Sequence, residues 1–296
     1  MAHRNIDPRS LAALTYTELA ARSPRSRTAL LWTRACGVIR RDDLFHVTWP
    51  DIPRRQTRAY GLSQMLKADL LQTIDEQQRV LKLGRRGARL LSSAGIHSAY
   101  KSTPSERVLP GLLLASEFAT ALGRQLMEQP HVSDLTWAAE PFAGIQVRPD
   151  SVGEILYGVV QRGLKQLNTS ILTPELPYLL ERGQSVLRVC LEIDRVSQSI
   201  DQLTARIENW RTALQSPYLL VPHQSILVAW VTTGTWRRAR TIADLWRSRM
   251  QQVAFCTTEF ELRGRSELRP MSPLDARWMD SRGETVSGRQ VFRCVG

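Results

Sequence analysis

Residues 186–214 read VLRVCLEIDRVSQSIDQLTARIENWRTAL. The opening stretch, Val186–Ile193, is a short run rich in valine and leucine, the signature of a buried strand. Beyond it Ile200, Leu203, Ile207 and Trp210 recur at three- and four-residue spacing, which predicts a helix over about Val196–Leu214. The alternation then repeats: a second buried strand over Ile226–Val231, a helix over Thr235–Arg249, a strand over Val253–Thr257. Upstream, Leu112, Leu113, Ala115, Phe118, Ala119 and Leu122 predict a helix over Val108–Glu128. After Pro130 the period shortens, and Val132–Trp137, Gly144–Val147 and Glu154–Val160 read as strands. Leu164–Gln184, with Pro174 and Pro177, reads as a loop or an excursion, and the tail after Pro270 has little regular signal. A helix, several strands, then helix, strand, helix and strand give an α/β (α+β) domain, a mixed sheet flanked by helices.

The first hundred residues read differently. From Arg25 the pattern is helical, with Ala29-Leu30-Leu31-Trp32 and Ala35-Cys36-Val38-Ile39 on one face. Arg41-Asp42-Asp43-Leu44-Phe45 opens a second helix, its acids placed where the helix dipole favours them. A turn at Trp49–Pro53 leads to a third helix, about Pro53–Ala68, with Ala59, Leu62 and Leu66 on its core side. Arg54, Arg55, Thr57, Arg58, Gly61 and Gln64 fall largely on the other side. Two short strands follow, Leu71–Ile74 and Arg79–Leu83, joined by the polar turn Asp75-Glu76-Gln77-Gln78. A last helix begins in Gly84-Arg85-Arg86-Gly87-Ala88-Arg89. Three helices, a hairpin and a packing helix make the layout of a winged helix-turn-helix. Its third helix would meet duplex DNA through Arg54, Arg55, Thr57, Arg58, Gln64 and Lys67, with Arg85 and Arg86 beside it. Asp75 and Glu76 at the wing tip would repel a phosphate backbone. Gly95–Arg107 is polar and carries Pro104, so the expected division is residues 1–96, a linker at 97–107, and residues 108–296.

Composition agrees with two domains. The chain has 296 residues, of which 43% are apolar, enough to bury a core. The net charge is +12, with a pI near 10.3. Residues 1–100 carry 17 Lys+Arg against 8 Asp+Glu, and the remainder 23 against 20. Genome bias accounts for arginine over lysine; it does not account for an excess confined to the front. A polyanion partner does, because neutralising phosphates releases counterions. No segment is long and apolar enough to span a membrane; the best, Val108–Gly123, is broken by Glu117. The four cysteines (Cys36, Cys190, Cys256, Cys294) have no zinc or disulfide spacing, so a reduced cytoplasmic protein is expected. The histidines are scattered, and no glycine-rich phosphate loop is present, which argues against NTP hydrolysis.

The carboxylates are placed more suggestively. Arg148-Pro149-Asp150 ends one strand region and Glu192-Ile193-Asp194 ends another. Residues two apart on a strand share a face, so Glu192 and Asp194 point the same way and Leu191 and Ile193 the other. With a carboxylate from a neighbouring strand they would offer hard oxygens to Mg²⁺, which takes few carboxylates and keeps water and phosphate. The plain alternative is that both acids pair with Arg148 or Arg195 at the sheet rim.

In this order the motifs resemble the replication-relaxation family of plasmids and integrative conjugative elements, which joins a winged helix to a PD-(D/E)xK nuclease-like domain. The likeness spans about residues 25–260. It rests on the winged helix through Arg85–Leu91, on Arg148-Pro149-Asp150 and on Leu191–Arg195. Val196-Ser197-Gln198-Ser199 resembles the family's Gly-Thr-Glu-Ser, and Arg206 and Trp210 stand where the family has Lys and Tyr. Val228–Thr233 followed by Arg238 resembles a later strand and helix. The resemblance implies a role in mobile-element replication and DNA relaxation, with Asp150 and Glu192 as metal ligands, joined by Asp194, and Arg206 as the cationic member of the catalytic set. The departures are Asp194 where the pattern wants Lys, Gln198 where it wants an acid, and an arginine that cannot act as a base near neutral pH.

Three expectations follow: a DNA-binding protein of a mobile element, a Mg²⁺-dependent endonuclease or nickase, or a catalytically inactive regulator that dimerises or docks a relaxase or replication protein. Trp210 and Trp230 are expected in the core rather than as base-stacking platforms.

Overall fold

The computed structural model describes residues 23–50, 52, 54–77, 79–94, 102–129, 132–138, 150–157, 185–215, 224–264 and 269–293. The segments 144–147 and 164–184, Arg148 and Pro149 lie outside the described residues. Two compact units divide after Leu109.

In the first unit, helix α1 (Pro24–Cys36) starts at Ser23, whose Oγ accepts from the Ser26 N–H at 3.2 Å, with Pro24 in the first turn. It stops at Gly37, whose φ of +72° is left-handed. Val38 and Ile39, expected to prolong the helix, instead form strand β1 (Val38–Arg40). Their apolar spacing fits either element, and Gly37 decides between them. Helix α2 (Arg41–Thr48) carries Asp42 and Asp43 in its first turn, and helix α3 spans Arg55–Lys67. Strands β2 (Leu71–Thr73) and β3 (Val80–Leu83) pair antiparallel, and β1 joins the free side of β3. Asp75 closes the hairpin: its Oδ1 accepts from the N–H groups of Arg79 at 2.9 Å and Val80 at 2.8 Å. Helix α4 (Arg85–Ser93) lies so close to the α3–β2 turn that a Cβ on Gly87 would stand 2.1 Å from the Leu70 carbonyl oxygen. Leu30, Ile39, Leu44, Leu71, Leu81 and Leu91 fill the core, and Phe45 meets Trp49 edge to face at 5.7 Å.

The core side of α3 differs from expectation. Leu62 and Met65 are buried, Leu66 only partly, and Ala59 is exposed. Gly61, expected outside, packs on the Trp49 indole. Taking Ala59 as a core residue turned the sequence-based face by about 60°, because each residue advances the helix about 100°.

In the second unit, helix α5 (Leu109–Met127) precedes strands β4 (Val132–Ala138), β5 (Ser151–Tyr157) and β6 (Ser185–Asp194). These pair as an antiparallel meander. Helix α6 (Ile200–Leu214) crosses to β7 (Gln224–Thr232), and helix α7 (Trp236–Arg247) to β8 (Ala254–Thr258); β6, β7 and β8 are parallel. A short helix α8 (Glu259–Leu262) leads to strands β9 (Arg277–Asp280) and β10 (Thr285–Ser287) and helix α9 (Gly288–Val291). Among the described residues the mixed sheet has seven strands, in the order β10-β9-β8-β7-β6-β5-β4. The tail after Pro270 is therefore regular where little signal was expected. Its strands are too short for a period to show.

Cys190, Val228, Trp230, Cys256 and Met279 form one buried layer with Leu203, Ile207 and Trp210 of α6 and Ile242 and Trp246 of α7. Trp278, next to Met279, faces the other way and meets Phe118 of α5 and Phe292 at centroid distances of 6.2 and 5.5 Å. The sheet is thus covered on both faces, which is why β6 reads as a continuous apolar run. Glu117, the acid that interrupts α5, is buried against Arg263, whose Nη2 donates to its Oε2 at 2.7 Å. No helix among the described residues is long and apolar enough to cross a membrane.

Candidate functional site

Three of the expected site residues come together at the ends of β5 and β6. Asp150 lies just before β5, one pair beyond Ser151↔Leu191, and its N–H donates to the Leu191 carbonyl at 2.9 Å. That register sets Asp150 opposite Glu192. Arg206, on the second turn of α6, reaches both acids with one nitrogen: Nη2 donates to Asp150 Oδ2 at 2.9 Å and also contacts Glu192 Oε2. The Ile193 N–H donates to the same Asp150 oxygen at 2.7 Å. Trp210, one helical turn on, donates its indole N–H to Glu192 Oε1 at 2.6 Å. Trp210 is buried as expected, but it has a polar task that its place in an apolar stripe concealed. The Arg206 guanidinium also lies 5.9 Å from the Trp230 ring centre, a cation–π contact.

Glu192 is fully buried, and that burial raises its carboxyl pKa to about 8, even though Arg206 pulls it down. Burial works against the Arg206 charge too, but Glu192 and Asp150 beside it more than compensate and raise its pKa. The cluster shares one cation: two acids, one guanidinium and an indole donor.

Asp194 is not part of it. Its Oδ2 accepts from Arg238 Nε at 2.8 Å and from Thr232 Oγ1 at 2.8 Å. Its Oδ1 accepts from Arg238 Nη2 at 3.1 Å and from the Val196 N–H at 3.2 Å. Arg238 donates further to the Gln198 carbonyl at 2.7 Å. Every acceptor direction of this buried carboxylate is in use, so Asp194 clamps α7 to the end of β6. Among the described residues Glu192 lies against Arg206 and Asp194 pairs with Arg238; Arg148, one of the partners expected, lies outside them. Arg238 lies 44 residues beyond its partner, a distance no local spacing encodes.

The turn between β6 and α6 is tight. Val196 has φ +63°, a left-handed value uncommon for a β-branched residue. Helix α6 begins only at Ile200, behind a capping box: Ser199 Oγ accepts from Gln202 N at 3.2 Å while Gln202 Oε1 accepts from Ser199 N at 2.9 Å.

The donor set of this arrangement does not fit a divalent cation. Arg206 Nη2 holds the position between the Asp150 and Glu192 oxygens, and Asp194 is committed to Arg238. Among the described residues no three or more His, Cys, Asp or Glu side chains gather as a metal site.

In the first unit, Arg54, Arg55, Thr57, Gln64 and Lys67 are exposed along α3. Arg58 is only half exposed, because its Nε donates to the Ile52 carbonyl and so fixes the turn before the helix. Arg85 and Arg86 are exposed at the start of α4, where the Arg86 N–H donates to Asp69 Oδ2 at 3.3 Å. Two outward residues were missed: Gln56, and Tyr60 at 68% exposure. Once the core side of α3 is set at Leu62 and Met65, the same 3.6-residue period finds both.

Comparison with family models, with curated proteins and with solved structures found no match for this chain.

Proposed function

We propose that this protein binds duplex DNA through the first unit and that its second unit is a nuclease-like scaffold whose acids are neutralised from within. The observation that carries the reading is α3 itself: Arg54 just before it and Arg55, Thr57, Gln64 and Lys67 along it are exposed, on a helix with no acidic residue. Helices α1, α2 and α3 followed by the β2–β3 hairpin have the order of a winged helix-turn-helix, in which such a helix enters the major groove. Asp75 at the hairpin tip is spent on its own turn, so the wing contributes little to phosphate contact.

For the second unit, the order α5-β4-β5-β6-α6-β7, with Asp150 before the second strand and Glu192 on the third, supports the PD-(D/E)xK-like reading. The left-handed Val196 stands where the resembling family has Gly, the residue that conformation favours. Arg206 bridging Asp150 and Glu192, and Arg238 engaging Asp194, favour a catalytically inactive regulator or adaptor of a mobile element over a Mg²⁺-dependent nickase. A relaxase, a replication protein or a second copy of the chain is the protein partner this role implies.

Fluorescence anisotropy of a labelled duplex across a salt series tests the first half. The full chain should bind with an affinity that falls steeply with salt, and Arg54→Ala with Arg55→Ala should reduce the slope of log K on log salt by about 2. Supercoiled plasmid tests the second half. It should stay intact with the protein in Mg²⁺; nicking abolished by Asp150→Ala or Glu192→Ala would return the domain to the enzymes.

A further inference from the structure

We propose that Gln56, Tyr60 and Gln64 are the base-reading residues of this protein and that they select A·T pairs in the major groove. This rests on the duplex-DNA reading above and names what that surface reads. Helix α3 buries only Leu62 and Met65. At about 100° per residue, the direction furthest from that pair passes through Gln56, Tyr60, Gln64 and Lys67, which share a stripe at steps of four, four and three. All four are exposed, and Tyr60 has the largest exposure of any large apolar side chain in the described residues, 68%.

The chemistry of the stripe is graded. Arg54 and Arg55 lie at the start of the helix and Lys67 at its end, while Gln56, Tyr60 and Gln64 between them are neutral and no acid interrupts them. Cations at the ends suit phosphates, which fix position without reading sequence. A carboxamide presents a donor and an acceptor in one plane, matching the N6 amino group and N7 of adenine. The exposed Tyr60 ring offers an apolar body that can meet a thymine methyl group. Gln56 and Gln64 are separated by about 12 Å of helix axis. At about 3.4 Å per base pair this spans three to four base steps. The target is therefore a duplex with two A·T pairs three or four steps apart and a thymine between them. Arg58 is excluded from the reading set because it is held by the Ile52 carbonyl.

Selection of the full chain on random-sequence duplexes, followed by sequencing, tests this. The wild type should enrich two adenine positions at that separation. Gln56→Ala should erase one and Gln64→Ala the other, each weakening the selected duplex about tenfold. Binding to an unrelated duplex should be unchanged, and since both side chains are exposed the helical circular dichroism should match the wild type. A selected motif that persists unaltered in both variants overturns the inference. So does a wild type that retains duplex at low salt but enriches no motif, which leaves general DNA binding standing. A chain that retains no duplex at low salt removes the DNA-binding reading and this inference with it.

Discussion

A variant with Glu192→Gln should gain stability in the second unit relative to the wild type as pH rises. The carboxyl is fully buried, and burial lifts its pKa from the ordinary 4.5 to about 8. A carboxyl with a raised folded-state pKa holds its proton more tightly folded than unfolded. Its stabilising contribution is therefore complete below about pH 4.5 and is lost as pH climbs through about 8. At about 1.4 kcal/mol per pKa unit, the whole window is worth about 5 kcal/mol. Glutamine keeps the shape and cannot ionise, but only one of its two ends accepts, so it loses an acceptor toward Trp210 or Arg206, a cost that is the same at every pH. Arg206 retains Asp150 as its counter-ion. The stability difference, variant minus wild type, should then grow by about 1.4 kcal/mol per pH unit between pH 5 and 8. Urea unfolding of both proteins at pH 5, 6, 7 and 8, followed by tryptophan fluorescence, measures it. Parallel stability profiles for the two proteins would refute the argument, since a Glu192 that ionises freely in the folded state leaves no such divergence.

Further outcomes follow from neighbouring features. Asp194→Ala leaves the Arg238 guanidinium without its bidentate partner and should cost about 3–5 kcal/mol, read as a lowered denaturation midpoint; no loss would show that the clamp between β6 and α7 is dispensable. Val196→Gly relieves a left-handed valine and should add about 1 kcal/mol, seen as a higher melting temperature. Gly87→Ala drives a methyl group into the Leu70 carbonyl and should cost about 1–3 kcal/mol, with helix α4 losing hydrogen-exchange protection first.

What could be read from the chain beforehand has a physical pattern. Strands β6, β7 and β8 are covered on both faces, so they appear as continuous apolar runs, and α6 and α7 bury one stripe each and show the helical period. Strand β1 was hidden because three residues after Gly37 carry too little pattern to outweigh the helix before them. Strands β9 and β10 are also short, and Trp278 and Met279 point to opposite faces with no run to mark them. Glu192 and Asp194 were legible as a same-face pair from their spacing, whereas the pairing of Asp150 with Glu192 came from the family resemblance, and Asp150 stands before a strand rather than at the end of one. Arg206 likewise came from the resemblance, as the cation where the family has Lys on the following helix. The separation of Asp194 from Glu192 was not legible, since it depends on Arg238 arriving from a helix formed much later in the chain. Gln56 and Tyr60 were lost to a single choice, Ala59 in place of Met65 as the third core residue of α3.

The Glu117–Arg263 pair has a consequence for how the protein is made. The partners are 146 residues apart, and both are nearly excluded from water. As the polypeptide leaves the ribosome, α5 emerges with an acid on its apolar side and its cation not yet synthesised. The described strands and helices of the first unit are all in hand by then, so it can close at once. The second must hold α5 loosely until Arg263, and with it Trp278 and Phe292, come out of the exit tunnel. Newly made chains stalled before Arg263 thus carry α5 with its buried acid still lacking this partner.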